Sequence, residues 1–258
     1  MSKLQVLVTT MHQSDFSIYS QMNLQTDAVI ANQADHNDFR EELINGCNVQ
    51  MITTVTRGLS RNRNLALAHS EQKTEYILFS DDDLIFVDGY EQLILDEFAK
   101  QPQAEAIKFN IHDLSATRKI SMRRISRFEK ATMRNMSSSG VCALAVRADS
   151  LKKHNMHFCE NFGAGTENYC GEDTIFLMEL LKKKIRLYRS PVDIAGIDQT
   201  ESSWFQGHNE RYFITTGMVL GTLYPRLSYL IVIRSAWKAH RRKDSGMGFW
   251  HILKCYYK

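Results

Sequence analysis

Apolar residues along this chain fall into short runs separated by longer, periodically patterned stretches. The first run, Leu4–Val8, is almost unbroken, as a strand buried on both faces requires. Residues 28–31 and 49–55 repeat the signal, the second rich in β-branched side chains. Residues 76–79 form another run, which stops at Asp81-Asp82-Asp83, and residues 104–111 read as a further strand. Between these runs, Leu59, Leu65 and Ala66 are spaced as in a helix over 59–68. Leu93, Ile94 and Phe98 do the same over 90–98, with Pro102 ending the element. The polar stretch 32–45 reads as a loop and short helix. Strand–helix alternation up to about residue 111 predicts βα units. The expected fold is therefore α/β, with a mostly parallel central sheet flanked by helices. Ligands of such sheets bind beyond the carboxyl ends of the strands, which is where the three aspartates stand.

Three adjacent carboxylates repel one another unless a positive charge sits among them. A divalent cation is the usual remedy, since Mg²⁺ and Mn²⁺ prefer oxygen ligands and complete their shells with phosphate and water. Strand alternation would turn Asp81 and Asp83 to one side and Asp82 to the other. The bland reading is an acidic turn leading into the helix over 88–98. A second acidic pair, Glu172-Asp173, follows a glycine-rich loop (Gly163, Gly165, Gly171) and opens the helix expected over 174–184. Acidic residues suit a helix N-terminus in any case. One carboxylate set for metal and a distant one for proton removal is also what group transfer to a hydroxyl needs.

Net charge alters the picture through its distribution. The total, 32 basic against 29 acidic residues in 258, is only +3, which argues against a nucleic-acid coat. Residues 118–134 carry +6 (seven Lys/Arg, one Glu) and residues 226–258 carry +7 (eight Lys/Arg, one Asp), leaving −10 for the acidic remainder. The first basic segment reads as a solvated edge strand or a flexible loop. The second joins Lys/Arg to apolar and aromatic residues, the composition of an interfacial membrane anchor. A helical wheel over 227–243 puts Leu227 and Ile231 near the basic face, so packing on the rest of the chain stays open. Five widely spaced cysteines without a CxxC pair suit a reducing compartment and give no zinc spacing. The N-terminus shows no signal-peptide core. The longest apolar run, Tyr229–Ile233, is far short of the roughly 20 residues a spanning helix needs. The expected location is the cytoplasm, at the inner face of the cell membrane.

Taken together, these segments resemble a family 2 glycosyltransferase of the GT-A (Rossmann-like) fold, most of all the bacterial members that build capsular or exopolysaccharide chains. The resemblance runs over roughly residues 4–220. It is carried by Leu4–Thr10, AVIANQ (28–33), TRGLSRNRNLAL (56–67), ILFSDDDLIF (77–86), FGAGTENYCGEDTIF (162–176) and SWFQGHNERYF (203–213). It implies an inverting, metal-dependent transfer of a sugar from a nucleoside-diphosphate sugar, UDP-linked by preference, to a hydroxyl of a glycan or lipid-linked acceptor. Asp81 and Asp83 would hold Mn²⁺ or Mg²⁺, with His208 as a further ligand. Thr9, Asn32, Arg63, Asp81 and Asp82 would bind the nucleotide sugar, Asn32 standing where many members carry Asp. Asp173 would be the base, and Gly163, Gly165, Glu172 and Trp204 would line the acceptor or donor-sugar loop. Residues 1–217 would form the catalytic domain and 218–258 an apolar, basic extension making peripheral membrane contact. A sugar-phosphate nucleotidyltransferase is a rival, but its glycine-rich phosphate loop is absent after the first strand. A catalytically silent sugar- or membrane-binding subunit would be expected to have lost carboxylates at one of the two sites.

Overall fold

The computed structural model describes residues 2–71, 73–114, 124–137, 139–197, 207–242 and 245–258. Trp204 and residues 118–123 of the first basic segment lie outside the described residues. The N-terminal half runs β1 (Leu4–Met11), α1 (Ser17–Gln21), β2 (Asp27–Gln33), β3 (Asp38–Ile44), β4 (Cys47–Thr54), α2 (Leu59–Ala68), β5 (Tyr76–Asp81), β6 (Leu84–Phe86) and α3 (Tyr90–Lys100). It continues with β7 (Ala106–Asp113), β8 (Glu129–Lys130), α4 (Met133–Met136), β9 (Leu144–Arg147), α5 (Ala148–Lys153), α6 (Glu172–Lys182) and β10 (Leu187–Ile197). Three helices close it: α7 (Glu210–Leu223), α8 (Ser228–Arg242) and α9 (Phe249–Tyr256).

One sheet organises the molecule, in the order β3-β4-β2-β1-β5-β9-β7-β10-β6, with β8 beside β10. The expected parallel pairing holds for the block β4-β2-β1-β5 and for β7 with β10. Strand β9 enters antiparallel between β5 and β7, so the sheet as a whole is mixed. The unbroken apolar runs follow from burial on both faces. In β1, Leu4, Val6 and Val8 point into one core layer while Leu7 points into the other. In β5, Tyr76 and Leu78 face the first layer, Ile77 and Phe79 the second. Helices α7–α9 form a smaller cluster of their own around Phe213, Val232, Ala236, Ile252 and Tyr256. Helix α7 runs through position 217.

The stretch 32–45 differs from the expected loop and short helix. Residues 38–44 are β3, an edge strand paired antiparallel with β4 from Asp38↔Thr53 to Ile44↔Cys47. Its turn is Asn45-Gly46, both at positive φ (51° and 83°), the backbone of a two-residue hairpin. The strand's polarity hid it: an edge strand facing water needs no apolar run, and charged residues there discourage further strand pairing.

One buried charge belongs to the sheet rather than to its edge. Lys108 on β7 is buried, and its ammonium donates to the Cys142 carbonyl. Burial pushes its pKa down to about 8, against the opposing pull of acidic neighbours that include Asp173. Between pH 8 and the ordinary lysine value of 10.5, the unfolded chain therefore binds the extra proton and the folded chain does not. The contribution of Lys108 to stability should therefore rise with pH across that window, by up to about 3 kcal/mol. Urea unfolding should show that the change in stability from pH 8 to pH 10 is more favourable in the native protein than in Lys108→Met by about 2 kcal/mol.

Candidate active site

The carboxyl ends of the parallel strands line up polar residues in register. Asp81 on β5 pairs with Thr9 on β1, and Thr10 pairs with Asn32 on β2, which pairs with Thr53 on β4. Thr9 Oγ1 donates to Asp81 Oδ1 at 2.7 Å, and Thr10 Oγ1 to Asp82 Oδ2 at 2.6 Å. Thr10 carried no expectation, although two hydroxyls ending a strand opposite an acidic triplet are a readable signal. The alternation expected for the triplet stops at Asp81, because Asp82 and Asp83 form the turn between β5 and β6. That turn sends the chain across to the edge, where β6 pairs with the end of β10.

Asn32 is fully buried and spent on the chain itself. Its Nδ2 donates to the Gln13 carbonyl at 2.9 Å and to Thr53 Oγ1 at 3.1 Å, and its Oδ1 accepts the Gln13 N–H at 3.0 Å. It latches the segment after β1 beside the sheet edge.

Arg63 connects the two acidic sites. It sits on α2, only 3% exposed, with its guanidinium 5.3 Å from the ring centre of Phe158. One terminal nitrogen donates to both oxygens of Asp81 at 3.0 and 3.1 Å. The other donates to Asp173 Oδ1 at 2.5 Å and lies 3.5 Å from Glu172. Asp173 Oδ2 accepts the Val141 N–H at 3.2 Å. Neighbouring Asn64 exchanges bonds with the Phe158 backbone at 2.7 and 2.9 Å and so seats the ring beneath Arg63.

The glycine loop is clamped to the start of the same helix. Ser60 Oγ donates to the Phe162 carbonyl at 2.6 Å, and the Leu59 N–H to Ala164 at 2.9 Å. Gly165, at φ +85°, lies so close to Gly58 that an added Cβ would stand 3.2 Å from its backbone. Gly163 is equally confined, because a Cβ there would meet Ser60 and Glu172 at 3.2 Å. The loop thereby sets Glu172 and Asp173 at the head of α6, which begins two residues before its expected start.

Electrostatics separates the carboxylates. Burial opposes the charge of Asp81, but Arg63 and the Thr9 hydrogen bond outweigh it and hold the carboxyl below its ordinary range. Asp83 has no such partner: partial desolvation, then Asp81 and Asp82, push it up to about 6. Desolvation also raises Asp82, with the Thr10 hydrogen bond pulling the other way. Glu172 is raised by burial and then by Asp173, against Arg63. Arg63 keeps its proton despite burial, because Asp173 and Asp81 stabilise its charge.

His208 lies elsewhere in its contacts. It packs edge-on against Tyr212 at 4.9 Å and lines a cleft with Ser137, Lys238 and Arg242. Among the described residues, the one trio of His, Cys, Asp or Glu whose ligand atoms converge within 4.8 Å is Glu210, His251 and Cys255. Asp81, Asp83 and His208 are not such a trio.

A sheet of this order, with acidic and hydroxyl side chains along the carboxyl ends of its parallel strands, has the GT-A architecture of nucleotide-sugar-dependent glycosyltransferases. The sequence profile of Glycosyl transferase family 2 matches residues 17–150, just over half of the chain, and the chain belongs to that family. It is a glycosyltransferase, which displaces the nucleotidyltransferase reading. The crystal structure of S. aureus TarS 1-349 is similar over 100% of this chain and 71% of that chain, with TM-score 0.59 and 14% identity. TarS 1-349 in complex with UDP-GlcNAc is similar over 99% and 70%, with TM-score 0.61 and 13% identity. At such identity the likeness is one of fold. No curated protein matches the chain.

Breaking a buried charge cluster leaves its partners uncompensated. Arg63→Met should therefore cost about 3–5 kcal/mol in urea unfolding. Arg61→Met, which removes the half-exposed pair with Glu160 at 3.2 Å, should cost less than about 1 kcal/mol.

Proposed function

We propose that this enzyme is an inverting glycosyltransferase that moves a sugar from a UDP-linked donor to a hydroxyl of a glycan or lipid-linked acceptor in surface-polysaccharide synthesis. The observation that carries the reading is the bridge Asp81–Arg63–Asp173, which holds a donor-side and an acceptor-side carboxylate around one guanidinium. Capture of UDP-GlcNAc and of UDP by TarS, which shares the fold, supports the choice of donor.

In this reading Asp173 removes the acceptor proton, the freed oxygen attacks the anomeric carbon in line, and the nucleoside diphosphate leaves from the opposite side. Only one catalytic carboxylate is needed, in contrast to the pair that glycoside hydrolases use. Val141 N–H and Arg63 fix the Asp173 carboxylate, so the attacking hydroxyl is the mobile partner. Arg63 is a positioning residue that keeps Asp81 and Asp173 at a set separation. Thr9 and Thr10 aim Asp81 and Asp82 at the donor, while Asn32 holds the segment after β1 in place.

The donor set fits a divalent cation. Asp83 and Asp82 are raised in pKa first by desolvation and then by neighbouring carboxylates, which a cation would offset, and all their ligand atoms are hard oxygens. Asp81 and Asp83 would hold Mn²⁺ or Mg²⁺. Such an ion would supply charge neutralisation at the leaving diphosphate.

Asp173→Asn tests the assignment of the base. Asn retains an acceptor for Val141 N–H, and Glu172 remains beside Arg63 to ionise in compensation. Transfer from UDP-sugars should fall by at least about 100-fold, while UDP binding by calorimetry stays within a factor of about 3 of native. Near-normal turnover would remove Asp173 from its role. A screen of nucleotide sugars with Mn²⁺ and lipid-linked acceptors, read as nucleotide release, tests the donor. UDP release dependent on Asp83 is expected, and release from no donor would overturn the reading.

A further inference from the structure

Of the sixteen large apolar or aromatic side chains exposed among the described residues, eight lie between Met218 and Tyr257, so exposed apolar surface is concentrated on the C-terminal helices. Helix α8 packs inward through the small residues Val232 and Ala236. Its outer row, Leu230, Ile233 and Trp237, has the spacing i, i+3, i+7, and Trp237 is 52% exposed. Helix α9 packs inward through Ile252, Cys255 and Tyr256 and leaves Trp250, 77% exposed, on its outer row with Lys254 and Tyr257.

The two rows flank one seam. Tyr257 Oη donates to the Tyr229 carbonyl at 3.5 Å, and the His240 ring bonds the Met247 carbonyl at 3.4 Å. The C-terminal end of α9 therefore meets the start of α8, and its start meets the end of α8. The helices run antiparallel with their exposed rows side by side. Both are locked to α7, α9 through His251 on Glu210 at 2.7 Å.

The charge around these rows has one sign. Arg234, Lys238, Arg241 and Lys254 border the apolar side chains, and Arg241 lies 4.8 Å from the Trp237 ring centre. Residues 226–258 carry +7. A second copy of this face would bring like charges together, whereas an anionic surface complements it. Tryptophan and tyrosine interleaved with Lys/Arg suit the boundary between headgroups and acyl chains. No helix among the described residues is long and apolar enough to cross a membrane.

We propose that the outer face of α8 and α9 docks on an anionic lipid bilayer, with Trp237 and Trp250 inserted at the acyl boundary and the surrounding arginines and lysines on the headgroups. The wheel that looked ambiguous over 227–243 thus has two uses: a narrow inner row packs on α7, and a broad outer row faces lipid. Helices α8 and α9 supply none of the carboxylates around Arg63, so lipid binding is tested apart from sugar transfer.

The full chain is mixed with phosphatidylcholine vesicles, with or without phosphatidylglycerol, and sedimented, and tryptophan emission is read in parallel. Co-sedimentation that requires phosphatidylglycerol and weakens with salt is expected, with a blue shift in emission. Trp237→Ser/Trp250→Ser and Arg234→Glu/Arg241→Glu should each lower partition by about tenfold or more. Both alter exposed side chains, so thermal melts and nucleotide release in solution should be unchanged. The proposal is overturned if native protein ignores the vesicles or binds both kinds alike. It is equally overturned if either variant partitions like native, or if the variants abolish self-association in sedimentation velocity while no vesicle binding exists.

Discussion

Arg63 lies buried against Phe158 with Asp81, Asp173 and Glu172 around it, and the cationic fork is what lets these carboxylates share so small a volume. Removed from water, each carboxylate alone would shed its charge by taking up a proton. With the guanidinium beside it, Asp81 holds its charge, whereas burial and then the neighbouring Asp173 raise the pKa of Glu172. The fork also imposes geometry, because two terminal nitrogens on one plane fix where two carboxylates stand. Everything else near the site serves to place this one side chain. Helix α2 carries it, Asn64 seats the ring below it, and the glycine loop brings Glu172 and Asp173 to it.

The sheet edge supplies the other half of the design. Parallel strands end together, so Thr53, Asn32, Thr10, Thr9 and Asp81 form a single polar row where the apolar runs stop. Hydroxyls on β1 bond the aspartates directly, which orders the near end of the triplet. Asp83, in the turn beyond β5, is left without such a partner, and desolvation followed by its neighbours' charge raises its pKa.

The C-terminal helices answer to different physics. Their inner rows pack on α7 through small or apolar residues, and their outer rows have nothing among the described residues to cover them. Apolar exposure and positive charge coincide there, while the catalytic body carries the acidic balance. The near-neutral total thus conceals an uneven distribution, with +6 in residues 118–134, +7 in residues 226–258 and −10 in the remainder.

Local chemistry made much of this legible in advance. Runs of apolar residues long enough for two-sided burial can only be interior strands, so β1, β2, β4 and β5 were readable from their residues. An acidic triplet directly after such a run had to lie at a strand's carboxyl end. The polar edge strand β3 was not readable by periodicity, because a strand facing water carries no apolar pattern, although Asn45-Gly46 marked its turn. Side-chain destinations were further out of reach. Nothing in the order of residues says that Arg63 spans from Asp81 to Asp173, 110 positions apart for the second pair, that Asn32 bonds Gln13, or that His208 packs against Tyr212. Sequence alone determined which segments must be buried and where charge accumulates, since those depend on each residue's own solvation. Only the tertiary structure decided which charges meet, because contact between distant residues is a property of how the layers pack.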